Sequence, residues 1–192
     1  MEDWSRSWEA IAEDFVAARS DIGSGVVRQW TKHLRRGGEV LDIGCGAGVP
    51  VSQILVEAGF AVFGIDASPT LLSLFSRRFR EAPARCETVQ SSNFFGQKFD
   101  GAVAVGLLFL LPEGDQRKLI EKVGHALRPG GRFLFSAPRA RCVWTDLQTG
   151  QPSISLGEVE YQSQLACAGM HLEDIHVDEG DNHYFDAIRR VT

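Results

Sequence analysis

The stretch VLDIGCGAGVP, Val40 to Pro50, sets three glycines, Gly44, Gly46 and Gly48, directly behind a short apolar run that contains Asp42. Glycine admits backbone angles closed to other residues and removes the side chains that would hold a ligand away. Where such a loop feeds the start of a helix, unpaired N–H groups and a modest positive potential meet a polar or anionic group. Further along, Asp66 ends a second apolar run, VFGID. A carboxylate there can accept from both hydroxyls of an adenosine ribose, and its charge would repel a 2′-phosphate. Loop and acid together point to an adenosine-containing ligand.

The spacing separates two such ligands. A dinucleotide pyrophosphate asks for G-x-G-x-x-G, whereas the third glycine here falls one place early. Tyr161 and Tyr184 are followed four residues later by Leu165 and Ile188, not by the lysine that a dehydrogenase set would need. No stretch remains for a second, substrate-binding domain. An NAD-dependent oxidoreductase is therefore disfavoured.

The elements that must hold these residues alternate along the chain. Trp8, Ile11, Ala12, Phe15 and Val16 recur at helical spacing in an amphipathic first helix. Val26, Val27, Trp30 and Leu34 mark a second helix, closed by Gly37 and Gly38. Strands follow at 40–43, 61–65, 86–89, 101–105 and 132–136, with helices over 50–58, from Ser68 to about Phe79, and over 113–127. Ser68 and Pro69 have the types that cap and begin a helix. Apolar strands alternating with helices predict a parallel sheet covered on both faces. Ser155 and Glu158 have the spacing of a capping box, so a helix is expected from Ser155 to near Gly169. Strands at 172–178 and 183–190 are separated only by DEGDN, too short for a parallel crossover, so they should pair antiparallel.

With 192 residues and 44% hydrophobic content, one core and a single domain, 1–192, are expected. The net charge of −5 and the scattered arginines argue against a nucleic-acid partner. No apolar run approaches membrane-spanning length and the first residues do not read as a signal peptide, so a cytoplasmic protein is expected. The four cysteines form no C-x-x-C pair and the histidines are dispersed, so no metal is expected.

In combination these segments resemble the class I S-adenosylmethionine-dependent methyltransferases. VLDIGCGAGVP is similar to the family's first motif, VFGIDAS to its acidic second, FDGAVAVGLLFLLP to its fourth-strand motif and LRPGGRFLFSAP to its fifth-strand motif, over Val40 to Pro138. The resemblance implies a Rossmann-like, doubly wound seven-stranded sheet, mostly parallel with an antiparallel last strand and helices on both faces. It implies S-adenosylmethionine as cofactor and S-adenosylhomocysteine as product. Gly44, Gly46 and Gly48, with Cys45 and Pro50 beside them, would line the methionine portion and Asp42 would lie beneath it. Asp66 would hold the ribose, Ala67 and Ser68 would border the adenine, and the backbone of Gly106 and Leu107 would meet the cofactor ammonium.

Two positions depart from the family pattern. Ser92 stands where relatives often place an acid for the adenine amino group, with Asn93 and Phe94 available for backbone and stacking contacts. Phe109 replaces a histidine that many relatives carry after the fourth strand. No catalytic base is identified. By analogy with similar small methyltransferases, residues 1–37 would form a helical lid, with Trp8 and Phe15 over the cofactor and Arg19 on its carboxylate. Residues 139–156 would form a substrate-side loop, with Trp144 and, from the terminal hairpin, Tyr184 near the acceptor. The expected function is methyl transfer to a small-molecule acceptor. A non-catalytic protein that binds the same cofactor, as sensor or partner subunit, is the alternative from a different class.

Overall fold

The computed structural model describes residues 9–12 and 20–191. Helix α1 (Ser24–Thr31) precedes strand β1 (Glu39–Ile43), helix α2 (Val51–Glu57), strand β2 (Ala61–Asp66), helix α3 (Pro69–Arg78) and strand β3 (Ala84–Cys86). Strand β4 (Phe99–Ala104), helix α4 (Glu113–Ala126) and strand β5 (Leu127–Ser136) follow. A hairpin of β6 (Cys142–Thr145) and β7 (Pro152–Ser155), helix α5 (Glu158–Cys167) and strands β8 (Met170–Val177) and β9 (His183–Arg189) complete the order.

Seven strands make one sheet in the order β3-β2-β1-β4-β5-β9-β8. The strands β1 to β5 pair parallel, and β9 runs antiparallel to both β5 and β8. The last strand thus lies inside the sheet, and the DEGDN turn accounts for its antiparallel pairing with β8; Asp178 ties that turn by accepting from the N–H groups of Gly180 and Asn182. Successive residues of one strand feed opposite cores. Leu41 and Ile43 pack with α4 and α5, while Val40, Val62, Val103 and Leu134 pack with Trp30 of α1 and with Ile54 and Leu55 of α2. Both faces are therefore apolar, which explains strands without polar alternation. The chain leaves β1 toward β2 on one side and returns to β4 on the other, so a crevice opens at the carboxyl ends of β1 and β4. No helix among the described residues is long and apolar enough to cross a membrane.

Three local expectations are corrected. The third strand ends at Cys86, placing Glu87 to Val89 in the following turn. The stretch 139–154 carries the β6–β7 hairpin in place of a loop: Val143 and Trp144 pair with Ile154 and Ser153, a short alternation that polar neighbours mask in the sequence. Ser155 does not cap α5. It belongs to β7, donates its hydroxyl to the Pro138 carbonyl at 2.6 Å and accepts from Gly157, and Gly157 at φ 83° occupies the cap position.

Candidate active site

The glycine loop is fastened to the end of β2. The N–H groups of Gly44 and Cys45 both reach the Ile65 carbonyl, at 2.8 and 3.0 Å, and Arg78 of α3 donates to the Ala47 carbonyl. Gly44, Gly46 and Gly48 all have positive φ, 72°, 53° and 80°, a region that side chains make costly. Their roles differ. A Cβ on Gly48 would stand 2.2 Å from the ring of Phe79 and 2.9 Å from that of Phe75, so this glycine admits α3. A Cβ on Gly44 would meet the side chain of Leu107 at 3.2 Å, which brings the β1 and β4 loops together across the crevice. A Cβ on Gly106 would meet nothing within 4 Å. Gly106 has its N–H spent on the Ser136 hydroxyl at 2.7 Å; a cofactor ammonium needs an acceptor, which at this residue is the carbonyl. Pro50 stands at the cap position of α2, Cys45 is buried, and beneath the loop Asp42 accepts from Ser52 at 2.5 Å.

Asp66 joins the two nucleotide-side loops. One carboxylate oxygen accepts from the Gly46 N–H and the other from the Ser68 N–H, both at 2.8 Å. A carboxylate has about four acceptor positions, so about two remain, the number that a ribose diol would use. Burial pushes the Asp66 carboxyl above the usual range; the N–H groups of Ser68, Gly46 and, most weakly, Ala67 oppose that rise and the charge of Glu9 adds to it. Ala67 follows at the end of β2, and Ser68 caps α3 by accepting from Leu71 at 3.1 Å.

Glu9, which the sequence does not single out, is the second acid here. It takes the hydroxyls of Ser68 and Thr70 and the Thr70 N–H, and these bonds hold its carboxyl below the usual range. Glu9 is thereby fixed at the start of α3, beside Asp66. Trp8, Phe15 and Arg19 lie outside the described residues.

On the β3 side the Ser92 hydroxyl is committed: it donates to Glu87 at 2.6 Å and accepts from the Phe94 N–H at 3.0 Å. Glu87 in turn donates its N–H to the Asp66 carbonyl at 3.0 Å. An acid therefore stands at the carboxyl end of β3 although none occupies position 92. Its signal in the sequence is its place right after the strand, hidden by setting the strand too late. Lys122 holds this turn by donating to the carbonyls of Val89, Gln90 and Ser92, and its ammonium lies 4.8 Å from the centre of the Phe94 ring. Phe94 is buried and belongs to the core, so its ring is not a stacking surface. Asn93 is exposed and accepts from Arg85.

After β4, the turn Leu108–Leu110 carries Phe109 to within 5.4 Å of Trp144, ring centre to ring centre, at 44°. Two residues that the sequence placed far apart thus meet where the hairpin crosses the end of β4. Buried Gln116 clamps that crossing, donating to the carbonyls of Leu111 and Ile154 at 2.8 Å each and accepting from Tyr161. Ser153, fully buried on β7, has no hydrogen-bond partner for its hydroxyl. Such a group costs about 1–3 kcal/mol. Tyr184 is buried against Gly23, and its hydroxyl donates to Asp178 at 3.0 Å. Among the described residues no group of His, Cys, Asp and Glu side chains is placed to hold a metal ion.

A family model described as a methyltransferase domain matches residues 40–131. The N-terminal methyltransferase of cypemycin from a Streptomyces species is 33% identical over 124 residues, 62% of this chain and 50% of that protein. The chain spans about half the length of the curated relatives it matches. The methyltransferase CcbJ of Streptomyces caelestis has the same fold, with a TM-score of 0.78 at 15% identity, covering 99% of this chain and all of its own. The 1,6-didemethyltoxoflavin-N1-methyltransferase of Burkholderia thailandensis, solved with S-adenosylhomocysteine and 1,6-didemethyltoxoflavin, gives 0.72 at 20% identity, covering 100% of this chain and 92% of that one. Residues 40–131 thus match a methyltransferase-domain model, and the whole described chain has the fold of the solved methyltransferases.

Proposed function

We propose that the chain transfers a methyl group from S-adenosylmethionine to a small-molecule acceptor in the cytoplasm. The observation that carries this reading is Asp66, which binds the glycine loop through Gly46 and the start of α3 through Ser68 and keeps acceptor capacity for a ribose diol. Asp66 would hold the ribose, the backbone of Gly44 to Gly46 the methionine portion, and the Gly106 carbonyl the ammonium. Asp42 stiffens the loop from below through Ser52. Glu87, tethered by Ser92, stands where the adenine amino group would need an acceptor. The segment before α1 would act as a lid, with Glu9 latching it onto Ser68 and Thr70, while α1 itself is core, its Val27 and Trp30 buried against the sheet. The small acceptor is supported by the net charge of −5, which gives a nucleic acid little overall attraction.

When bound, the cofactor supplies a sulfonium-activated methyl carbon and leaves as S-adenosylhomocysteine, so the hard chemistry is its own. The protein's part is to align a nucleophile and exclude water. Alignment alone supplies about 7–11 kcal/mol in well-oriented systems. A general base is required only for acceptors that arrive protonated.

Thermal-shift titration with S-adenosylmethionine, S-adenosylhomocysteine and NAD tests the cofactor, since a ligand of the native state raises the apparent stability. The first two should stabilise and NAD should not. Incubation of a metabolite extract with methyl-labelled cofactor should then give a labelled product. Stabilisation without any product would support a non-catalytic binder.

A further inference from the structure

The buried hydroxyl of Ser153 is the one side-chain group near the crevice that folding leaves unpartnered among the described residues. Unpaired buried hydroxyls are rare enough in native proteins to call for an explanation, and a ligand is one. Its surroundings indicate which ligand. Ser153 pairs directly with Trp144 across the hairpin, so the two side chains leave the same face. That face turns toward Phe109, on the turn that follows Gly106 at the end of β4, the strand beside the glycine loop.

The polarity is equally specific. Phe109 and Trp144 supply aromatic surface, and Leu107 and Leu111 pack against the same core as Phe109. The cations at the base of the hairpin are paired: Arg141 with Glu113, and Arg139 with Glu158. The cations at the base of the hairpin are thus already engaged by carboxylates, and the two rings offer a flat molecule its contact surface. The Gln116 clamp grips Leu111 and Ile154, leaving the far end of the hairpin, with Leu147 almost fully exposed, unclamped by this contact. Outward movement of that end would part the Phe109 and Trp144 rings and uncover Ser153 in one motion.

We propose that the layer between the β6–β7 hairpin and the turn after β4 is the acceptor site, that it takes a neutral planar aromatic molecule bearing a hydroxyl or ring nitrogen, and that Ser153 hydrogen-bonds that polar atom. The proposal rests on the methyl-transfer reading and narrows it to a substrate class. Phe109 and Trp144 sandwich the ring; Ser153 is a positioning residue that sets which atom faces the methyl.

The test is a labelled-methyl assay with phenol, catechol, 8-hydroxyquinoline and indole against glycine, putrescine and a tripeptide with a free amino terminus. Label should enter an aromatic member. For that acceptor Ser153→Ala should raise KM about tenfold with kcat within about twofold, while the melting temperature of the free protein stays level or rises, because an unpaired hydroxyl is removed. Trp144→Ala should raise KM further and Trp144→Phe should restore most of it. Label in the aliphatic members alone, or in no member while calorimetry shows cofactor binding, overturns the aromatic class and leaves the cofactor reading intact. A Ser153→Ala protein that melts lower with KM unchanged overturns the role of the hydroxyl. Failure to bind S-adenosylmethionine at all overturns the methyl-transfer reading beneath it.

Discussion

The Gly46 N–H meets the Asp66 carboxylate at 2.8 Å across twenty residues of chain, so the loop proposed to cradle the methionine and the acid proposed to grip the ribose are one hydrogen-bonded unit. Gly46, with φ 53°, takes a backbone angle that glycine adopts without steric cost, and this aims its N–H at the carboxylate.

The rise of the Asp66 carboxyl through burial gives a pH dependence of defined sign. The ionised form accepts ribose hydroxyls, so affinity for S-adenosylhomocysteine should fall on acidification, starting above the roughly 3.9 of a free aspartate. Folding stability from this group runs the opposite way. A folded pKa above the unfolded one contributes stability below the unfolded value and loses it as pH rises through the folded one. Calorimetric titrations at several pH values should show the loss in wild type and a flattened profile in Asp66→Asn.

Glu9 sits at the same place with the reverse sign. Its carboxyl is lowered by Ser68 and Thr70, so the latch it makes is present above the unfolded pKa and is lost as pH falls through the lowered folded value. Glu9→Ala should speed hydrogen exchange at residues 9–12 and hasten S-adenosylhomocysteine release in stopped-flow. It should also shift the acid limb of cofactor binding downward, because the charge that helps raise Asp66 is gone.

Gly48→Ala should destabilise the fold. The left-handed backbone costs about 1–2 kcal/mol for a side chain and overpacking against Phe79 about 1–3 more. Urea unfolding should show a loss of several kcal/mol, part of which Phe79→Leu in the same chain recovers. Full stability in Gly48→Ala would place the aromatic rings elsewhere.

Gln116→Ala removes the donor that joins Leu111 to Ile154 and the acceptor of Tyr161. Leaving such groups unpaired costs about 1–3 kcal/mol each, so a loss of about 3 kcal/mol is expected, with hydrogen exchange accelerated in residues 142–155 before the central sheet. Uniform acceleration across the sheet would mean that the hairpin is not separately anchored.

Much of this architecture is legible in the chain. The apolar runs of β1 and β2 are covered on both faces and carry no competing period; Ser68 and Pro69 mark the start of α3, and the DEGDN turn dictates β9 against β8. What is hidden depends on direction or on distant partners. Composition cannot say that the missing side chain of Gly48 faces Phe79 while that of Gly106 faces open space. Ser155 satisfies a capping pattern, yet its hydroxyl finds the Pro138 carbonyl, a bond that exists only once the hairpin folds back. Glu9 reaches Ser68 over fifty-nine residues, beyond any local rule. Phe109 and Trp144 are each ordinary apolar residues until the hairpin brings their rings together.

The account's central claim is most directly tested by isothermal calorimetry of S-adenosylhomocysteine on the wild-type protein and on Asp66→Ala. It predicts one site per chain in wild type and a loss of affinity of about a hundredfold or more in the variant, the cost of stranding ribose hydroxyls and freeing the glycine loop, about 2.7 kcal/mol. Equal affinity in the two proteins, with both folded, would contradict it.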